Sequence, residues 1–146
     1  MQNWRFRHSL QSIRQAIIIK PAPVFKCIGK DQREKEGYNT FREWIEDPKN
    51  VYISCNLHKY VKNYNGKESM WMNPYQAHFS KVEANRLYEN FIRSNDVLMQ
   101  SIPSLENKVL GCWCEPLHDS TGVSISGCHG EVLIKLYHEY EICSNM

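Results

Sequence analysis

Leu110-Gly111-Cys112-Trp113-Cys114-Glu115-Pro116, followed by Gly127-Cys128-His129-Gly130-Glu131-Val132-Leu133, is the part of the chain whose reading decides the rest. Val109 to Cys114 is apolar and β-prone, and Pro116 ends it because proline has no N–H to give a sheet ladder. Side chains alternate along a strand, so Cys112 and Cys114 are expected on one face and Trp113 on the other. Val132, Leu133, Leu136 and Tyr137 recur at the i, i+1, i+4, i+5 spacing of an amphipathic helix. That spacing predicts a C-terminal helix over about Glu131 to Ile142, with Cys143 on a frayed end. Strand, loop and helix start, in that order, form the usual ligand position of an open α/β sheet.

The two segments hold three of the six cysteines and one of the six histidines, with Cys112 to His129 spanning eighteen residues. Three chemistries compete for them. Cys112, Cys114, Cys128 and His129 make a Cys₃His donor set suited to zinc, although Cys-x-Cys and adjacent Cys-His differ from the common C-x₂-C knuckle. Alternatively, the unpaired N–H groups of a helix start attract anions and lower the pKa of a nearby thiol. Cys128 and His129 would then be candidate nucleophile and general base. Third, thiols are often plain core residues, and Cys112 fits that description best of the three. The residues leave all three open.

The length of 146 residues suits one domain with one core, and 42% apolar with 23% charged residues is ordinary for a globular protein. No run approaches the roughly 18 apolar residues of a membrane helix. Ala16-Ile17-Ile18-Ile19 is too short for one, and no signal-peptide cleavage pattern follows it. No membrane association is expected. The cysteine spacing reads as reduced thiols, which predicts an intracellular location, in the cytoplasm or in the cytoplasm or nucleus of a host cell. The formal net charge of +2 hides an asymmetry. Residues 1–30 carry Arg5, Arg7, Arg14, Lys20, Lys26 and Lys30 with no acid, and the remainder is net −4. A basic arm on an acidic body is one way to touch nucleic acid. It also superficially resembles a transit peptide, and its plainest reading is a solvated segment.

Along the chain, residues 1–15 read as loosely helical or disordered. Ala16–Ile19 and Val24–Ile28 read as short strands, Lys30–Gly37 as charged loop, and Phe41–Glu46 as a helix capped by Asn39 or Thr40. Val51–Cys55 reads as a strand, Tyr60–Val61 as a short strand or turn, and residues 67–75 as an ordered loop. Ser80, with Glu83 three residues on, caps a helix whose apolar face is Val82, Leu87, Tyr88, Phe91 and Ile92. Val97–Ile102 reads as a further helical turn or two. This order predicts an α/β domain with parallel pairing. The loops after Cys55 and Cys114 would then open at the carboxyl ends of neighbouring strands and surround one crevice.

Four segments, Val51-Tyr52-Ile53, Ser69-Met70-Trp71-Met72-Asn73-Pro74-Tyr75, Leu110 to Pro116 and Cys128 to Leu133, resemble the domain-of-unknown-function 4326 family of bacteria, phages and large DNA viruses. The resemblance spans about residues 39–140. It implies a shared framework around Trp71, Asn73, Cys112, Cys114, Cys128 and His129, and implies no established activity. The family's Gly-Arg after the Tyr-Ile strand is Ser54-Cys55 here, its Lys before the Trp is Met70, its Phe after Asn-Pro is Tyr75, and its Asp after Cys-His-Gly is Glu131. The loop between Cys114 and Cys128 is also longer, and its segment 122–127 is expected to fold over the site.

The resulting expectation is a small three-layer Rossmann-like α/β domain with a mostly parallel sheet. Residues 1–38 form a basic arm and short strands packed on the same domain, and residues 39–146 form the family domain. A nucleotide-like or other anionic small ligand would lie in the crevice. Trp71 would stack on it, Asn73 would hydrogen-bond it, Gly130 and Glu131 at the helix start would hold its anionic group, and Cys128 and His129 would be candidate catalytic groups. Whether the protein is an enzyme is left open. The alternative is a non-enzymatic interaction module stabilised by zinc through Cys112, Cys114, Cys128 and His129, touching nucleic acid through residues 1–30.

Overall fold

Three short strands, β1 (Val24–Cys27), β2 (Asn50–Tyr52) and β3 (Val109–Cys112), pair in the order β1-β3-β2, and both pairs are parallel. The computed structural model describes residues 21–114, 121 and 127–145. The expected strand at Ala16–Ile19, the basic residues up to Lys20 and the loop segment 122–126 lie outside the described residues. Val109, Leu110 and Gly111 on the central strand align with Val24, Phe25 and Lys26 on one side and with Asn50, Val51 and Tyr52 on the other. The pairing continues past the strand ends, where Ile53 donates to the Gly111 carbonyl at 3.0 Å and Ile28 to the Cys112 carbonyl at 2.9 Å.

Between the strands run α1 (Lys30–Lys35), α2 (Phe41–Glu46), α3 (Leu57–Tyr60), α4 (Lys81–Arg93), α5 (Asp96–Ser101) and a 3₁₀ turn (Ile102–Leu105). The chain closes with α6 (Gly130–Ser144). The capping signals hold locally. Thr40 Oγ1 accepts from Glu43 N at 3.1 Å and Ser80 Oγ from Glu83 N at 3.3 Å, and Asn95 Oδ1, not singled out in the sequence, accepts from Leu98 N at 3.1 Å. Each satisfies one of the amides that a helix start leaves unpaired.

Several expectations need correction. Lys30–Gly37 is mostly helix, because Gln32 with Glu36 and Lys30 with Glu34 supply i,i+4 contacts and Arg33 sits 5.4 Å over the Phe41 ring. A helix with no buried residue shows no apolar period to read. Tyr60, read with Val61 as a short strand or turn, ends a helical turn over Leu57–Tyr60, and Val61 itself is extended. On α4 the buried residues are Ala84, Tyr88 and Ile92, and Val82 is 82% exposed. The last helix runs on through Cys143.

Alternation along the strands sorts the core into two groups. Leu110 and Cys112 pack with Ile53, Tyr88, Ile92, Leu133 and Leu136, and Phe25, Val51 and Cys114 border them. On the opposite face, Val109 and Trp113 border Ile28, Phe41, Trp44 and Tyr52. Helices therefore cover both faces: α4 and α6 lie on the first and α2 on the second. Gly111 is required by the second face, since a Cβ there would stand 2.3 Å from Trp44 Cη2. Among the described residues no helix is long and apolar enough to cross a membrane.

Candidate metal centre

The carboxyl end of β3 and the start of α6 bring three sulfurs together. Cys112 and Cys114 share a strand face, as alternation requires, and Cys128 arrives from the turn before α6. Their Sγ atoms all lie within 4.8 Å of one another, and Cys112 and Cys128 are 3.0 Å apart. Backbone donors point at two of them. Cys114 N donates to Cys112 Sγ at 3.1 Å, and Gly130 N to Cys128 Sγ at 3.4 Å. An N–H aimed at sulfur favours its ionised form. The helix start thus directs its first amide to a sulfur of the protein itself.

The thiols are electrostatically unequal. Hydrogen bonding from Cys112 and then Cys128 holds the Cys114 thiol far below the usual range, helped by the positive charge of Lys81. Hydrogen bonding to Cys114 pushes Cys112 up. Cys128 is pushed up by hydrogen bonding to Cys112 and Cys114 and by burial. Cys112 and Cys128 are each 1% exposed, whereas Cys114 is half-buried. The cluster can hold a metal ion. Zinc binds thiolate at about 2.3 Å, which sets neighbouring sulfurs of a tetrahedron roughly 3.8 Å apart; Cys112 and Cys128, at 3.0 Å, would have to separate to take the ion, within the 4.8 Å that bounds the set.

His129 is fully buried beside this cluster. Its Nε2 donates to the Ile53 carbonyl at 2.5 Å. Its Nδ1 therefore carries the lone pair and faces Gln76 Nε2 at 3.2 Å and Cys128 Sγ at 4.0 Å. The edge of the ring meets Tyr88, with centroids 5.0 Å apart. Burial lowers the His129 pKa, so the imidazole is neutral. It borders the three sulfurs without belonging to the set that lies within 4.8 Å.

Trp71 and Asn73 are both buried and hold the framework. Trp71 is 4% exposed within the main core, and its carbonyl accepts from Tyr88 Oη at 2.7 Å. Asn73 is buried; its Oδ1 accepts from Tyr75 N at 2.9 Å and its Nδ2 donates to the Ala84 carbonyl at 3.3 Å. These bonds turn the chain at Pro74 and tie the loop to α4. A Cβ on Gly130 would meet Phe25 at 2.9 Å and Ile53 at 3.0 Å, so that glycine permits α6 to approach the sheet. Glu131 is exposed in the first turn of α6. His118 lies outside the described residues, and His138 is exposed.

Cys114 opens on a cavity of about 240 Å³ lined by Gln76, Lys81, Ala84, Asn85 and Gly127. Asn85 Nδ2 donates to the Gly127 carbonyl at 2.8 Å and fixes the turn before Cys128. Gln76, Lys81 and Asn85 were not singled out by the sequence. The one usable signal was the Ser80 cap, which places Lys81 and Asn85 one turn apart on α4.

A parallel sheet bearing a three-thiol cluster at its carboxyl end defines the class of domain, and comparison places it. The family described as "Domain of unknown function (DUF4326)" matches residues 42–139, and the chain belongs to this family. An uncharacterized protein of Acanthamoeba polyphaga mimivirus, R718, is 37% identical over 94 residues, covering 60% of this chain and 65% of that protein. The match thus spans less than two thirds of the viral relative's length. No solved structure matches the chain.

Proposed function

We propose that this domain is built around a zinc ion held by Cys112, Cys114 and Cys128, and that the cavity beside Cys114 receives a small anionic ligand. The observation that carries the reading is the convergence of three sulfurs within 4.8 Å, one of them lining a cavity that also holds Lys81. Three thiols are a donor set that selects zinc over hard cations. A bound zinc would supply positive charge and Lewis acidity at the position not taken by sulfur. The chain's own residues supply the rest. The amides of Cys114 and Gly130 support the thiolates, and Lys81, Asn85 and Gln76 present donors to an anion in the cavity.

In this reading Cys128 is a metal ligand and not a nucleophile, since its sulfur is buried and accepts from Gly130 N. His129 is a positioning residue: its Nε2–H bond to Ile53 orients Nδ1 toward the cluster, as the carbonyl partner of a metal-bound histidine does. The burial of Trp71 argues for an anionic group rather than a stacked base as the feature recognised. The parallel three-stranded sheet, covered by helices on both faces and bearing its site at the carboxyl ends, is what a reduced Rossmann-like domain would look like.

Elemental analysis of protein purified under reducing conditions is the test. About one zinc per chain is expected, absent from Cys112→Ser/Cys114→Ser, with a melting temperature lowered by chelator in the wild type only. No zinc in either protein would leave the thiols as core. Isothermal titration with inorganic phosphate then addresses the cavity. Lys81→Ala should weaken phosphate binding several-fold without changing zinc content, and equal binding by both proteins would remove the cavity from the proposal.

A further inference from the structure

The three sulfurs at the end of β3 differ in what can reach them. Cys112 and Cys128 are each 1% exposed. Cys114 is half-buried and lines the cavity of about 240 Å³ beside the cluster. Gln76, Lys81 and Asn85 share that cavity, and each carries side-chain N–H groups. A small polar reagent entering from solvent therefore meets one sulfur, with hydrogen-bond donors around it. Behind that sulfur stand two more, and all three Sγ atoms lie within 4.8 Å of one another. Cys27, Cys55 and Cys143 lie outside this group, and Cys55 and Cys143 are exposed.

The spacing favours a bond between sulfurs. Cys112 and Cys128 stand 3.0 Å apart, so roughly 1 Å of further approach reaches the S–S bond length of about 2.05 Å. They come from segments 16 residues apart, the central strand and the turn before α6. Cys112 and Cys114 are poorer partners for each other. An extended chain sets Cα atoms two residues apart at about 6.6 Å, the far end of the disulfide range. Cys128 is therefore the natural partner of either strand cysteine. Burial keeps Cys128 from reagents in solution, yet leaves it next to an oxidised Cys114.

We infer that the three thiols form a site of reversible oxidation by hydroperoxides, with Cys114 as the sulfur that is oxidised and Cys128 as the one that resolves it. In the first step the Cys114 thiolate attacks the terminal oxygen of the hydroperoxide. An S–O bond forms, the O–O bond breaks, and the released alkoxide or hydroxide takes a proton from water. Cys114 is then a sulfenic acid, two electrons poorer. In the second step the Cys128 sulfur attacks the Cys114 sulfur. An S–S bond forms, the S–O bond breaks, and the departing hydroxide takes the Cys128 proton and leaves as water. Two thiols and one hydroperoxide thus give one disulfide, one water and one alcohol, or a second water from hydrogen peroxide. Attack of Cys112 on the Cys128 sulfur then moves the disulfide to the buried pair and returns Cys114 as a thiol. Either disulfide takes away two of the three sulfurs that a metal would use. The disulfide stands on the three sulfurs alone, and loss of zinc with it rests on the metal centre proposed above.

Hydrogen peroxide is the probe, added to the reduced full chain carrying Cys55→Ser/Cys143→Ser so that the exposed thiols are silent. The products are alkylated and mapped after cleavage at Asp119, which separates Cys128 from Cys112 and Cys114. Two thiols per chain should be lost, recovered by dithiothreitol, and found in a disulfide joining Cys128 to Cys112 or Cys114. Where zinc is bound at the start, its release should follow the same time course. Cys114→Ser in this background should slow thiol loss by roughly tenfold or more. Cys128→Ser should stop at a Cys114 sulfenic acid that dimedone traps. If circular dichroism shows that this variant does not fold, the map of the parent and the rate in Cys114→Ser decide the matter. No thiol loss in excess peroxide would overturn the inference, as would an unchanged rate in Cys114→Ser. So would sulfinic or sulfonic acid at Cys114 with Cys112 and Cys128 still reduced. Zinc that is bound at the start, with no disulfide on oxidation, would remove this inference and leave the metal reading. The disulfide in a chain that holds no zinc would do the reverse.

Discussion

On one face of the central strand, Trp113 meets Phe41, Tyr52 and Tyr60, with ring centroids 5.2, 6.5 and 5.0 Å away. On the other face the flanking residues Cys112 and Cys114 meet Cys128. The aromatic face is built chiefly by filling space. Its polar atoms are few: Trp113 Nε1 donates to Tyr52 Oη at 2.9 Å, Tyr52 Oη donates to the Cys55 carbonyl at 2.6 Å, and Trp44 Nε1 is buried without a partner among the described residues. The thiol face is built by directed bonds. Two sulfurs accept backbone amides, and both nitrogens of a fully buried histidine have partners. A buried face that tolerates an unsatisfied indole is serving packing. A buried face that keeps three sulfurs and an imidazole in fixed orientation is one that could hold a metal ion.

Breaking the aromatic face should have the largest effect on stability. Trp44→Ala removes a fully buried ring and is expected to cost roughly 3–5 kcal/mol in urea unfolding. Zinc per folded chain should not change. Loss of metal from the folded variant would show that the two faces are not separable. Gly111→Ala comes next, at about 1–3 kcal/mol, because the new methyl group would stand 2.3 Å from Trp44 Cη2 and 2.6 Å from Ile28 Cγ2. Adding Trp44→Ala should relieve much of that clash, so the two changes combined should cost less than their sum. Strict additivity would mean that the Gly111 effect comes from the strand backbone.

The smallest effect concerns the thiol face and appears only on changing pH. Burial depresses the His129 pKa in the folded protein below its unfolded value of about 6.5. The unfolded chain then binds the extra proton, so the contribution of the neutral ring is fully present above that pH. It is lost as pH falls through it toward the folded pKa. Urea midpoints measured from about pH 7.5 to 5.5 should decline more steeply for the wild type than for His129→Gln. Parallel declines would place the pH dependence on other groups.

Much of the architecture was legible in local pattern. The apolar run at Val109 and the period of Val132, Leu133, Leu136 and Tyr137 marked the central strand and the last helix. Thr40 and Ser80 accept from amides three residues on, a contact that a short window contains. Where the signal was absent, the reading failed. The first helix buries nothing, so no period betrayed it, and Val82 looked apolar enough to point inward until Ala84, Tyr88 and Ile92 took the buried side of α4.

That Cys112 and Cys114 face the same way, and Trp113 the other, follows from the order of residues alone, because a strand alternates whatever surrounds it. Family membership follows from it too, since the ordered motifs are a property of the chain. Folding was needed to join Cys128 to the two strand cysteines and to set Lys81, Gln76 and Asn85 beside Cys114. Folding also placed His129 between Ile53, 76 residues earlier, and Gln76, 53 residues earlier. It moved Trp71 from an expected stacking surface into the core. Periodicity reports which side of an element a residue occupies. What that side meets depends on contacts between segments far apart in the chain, and those exist only once the sheet and its covering helices have closed together.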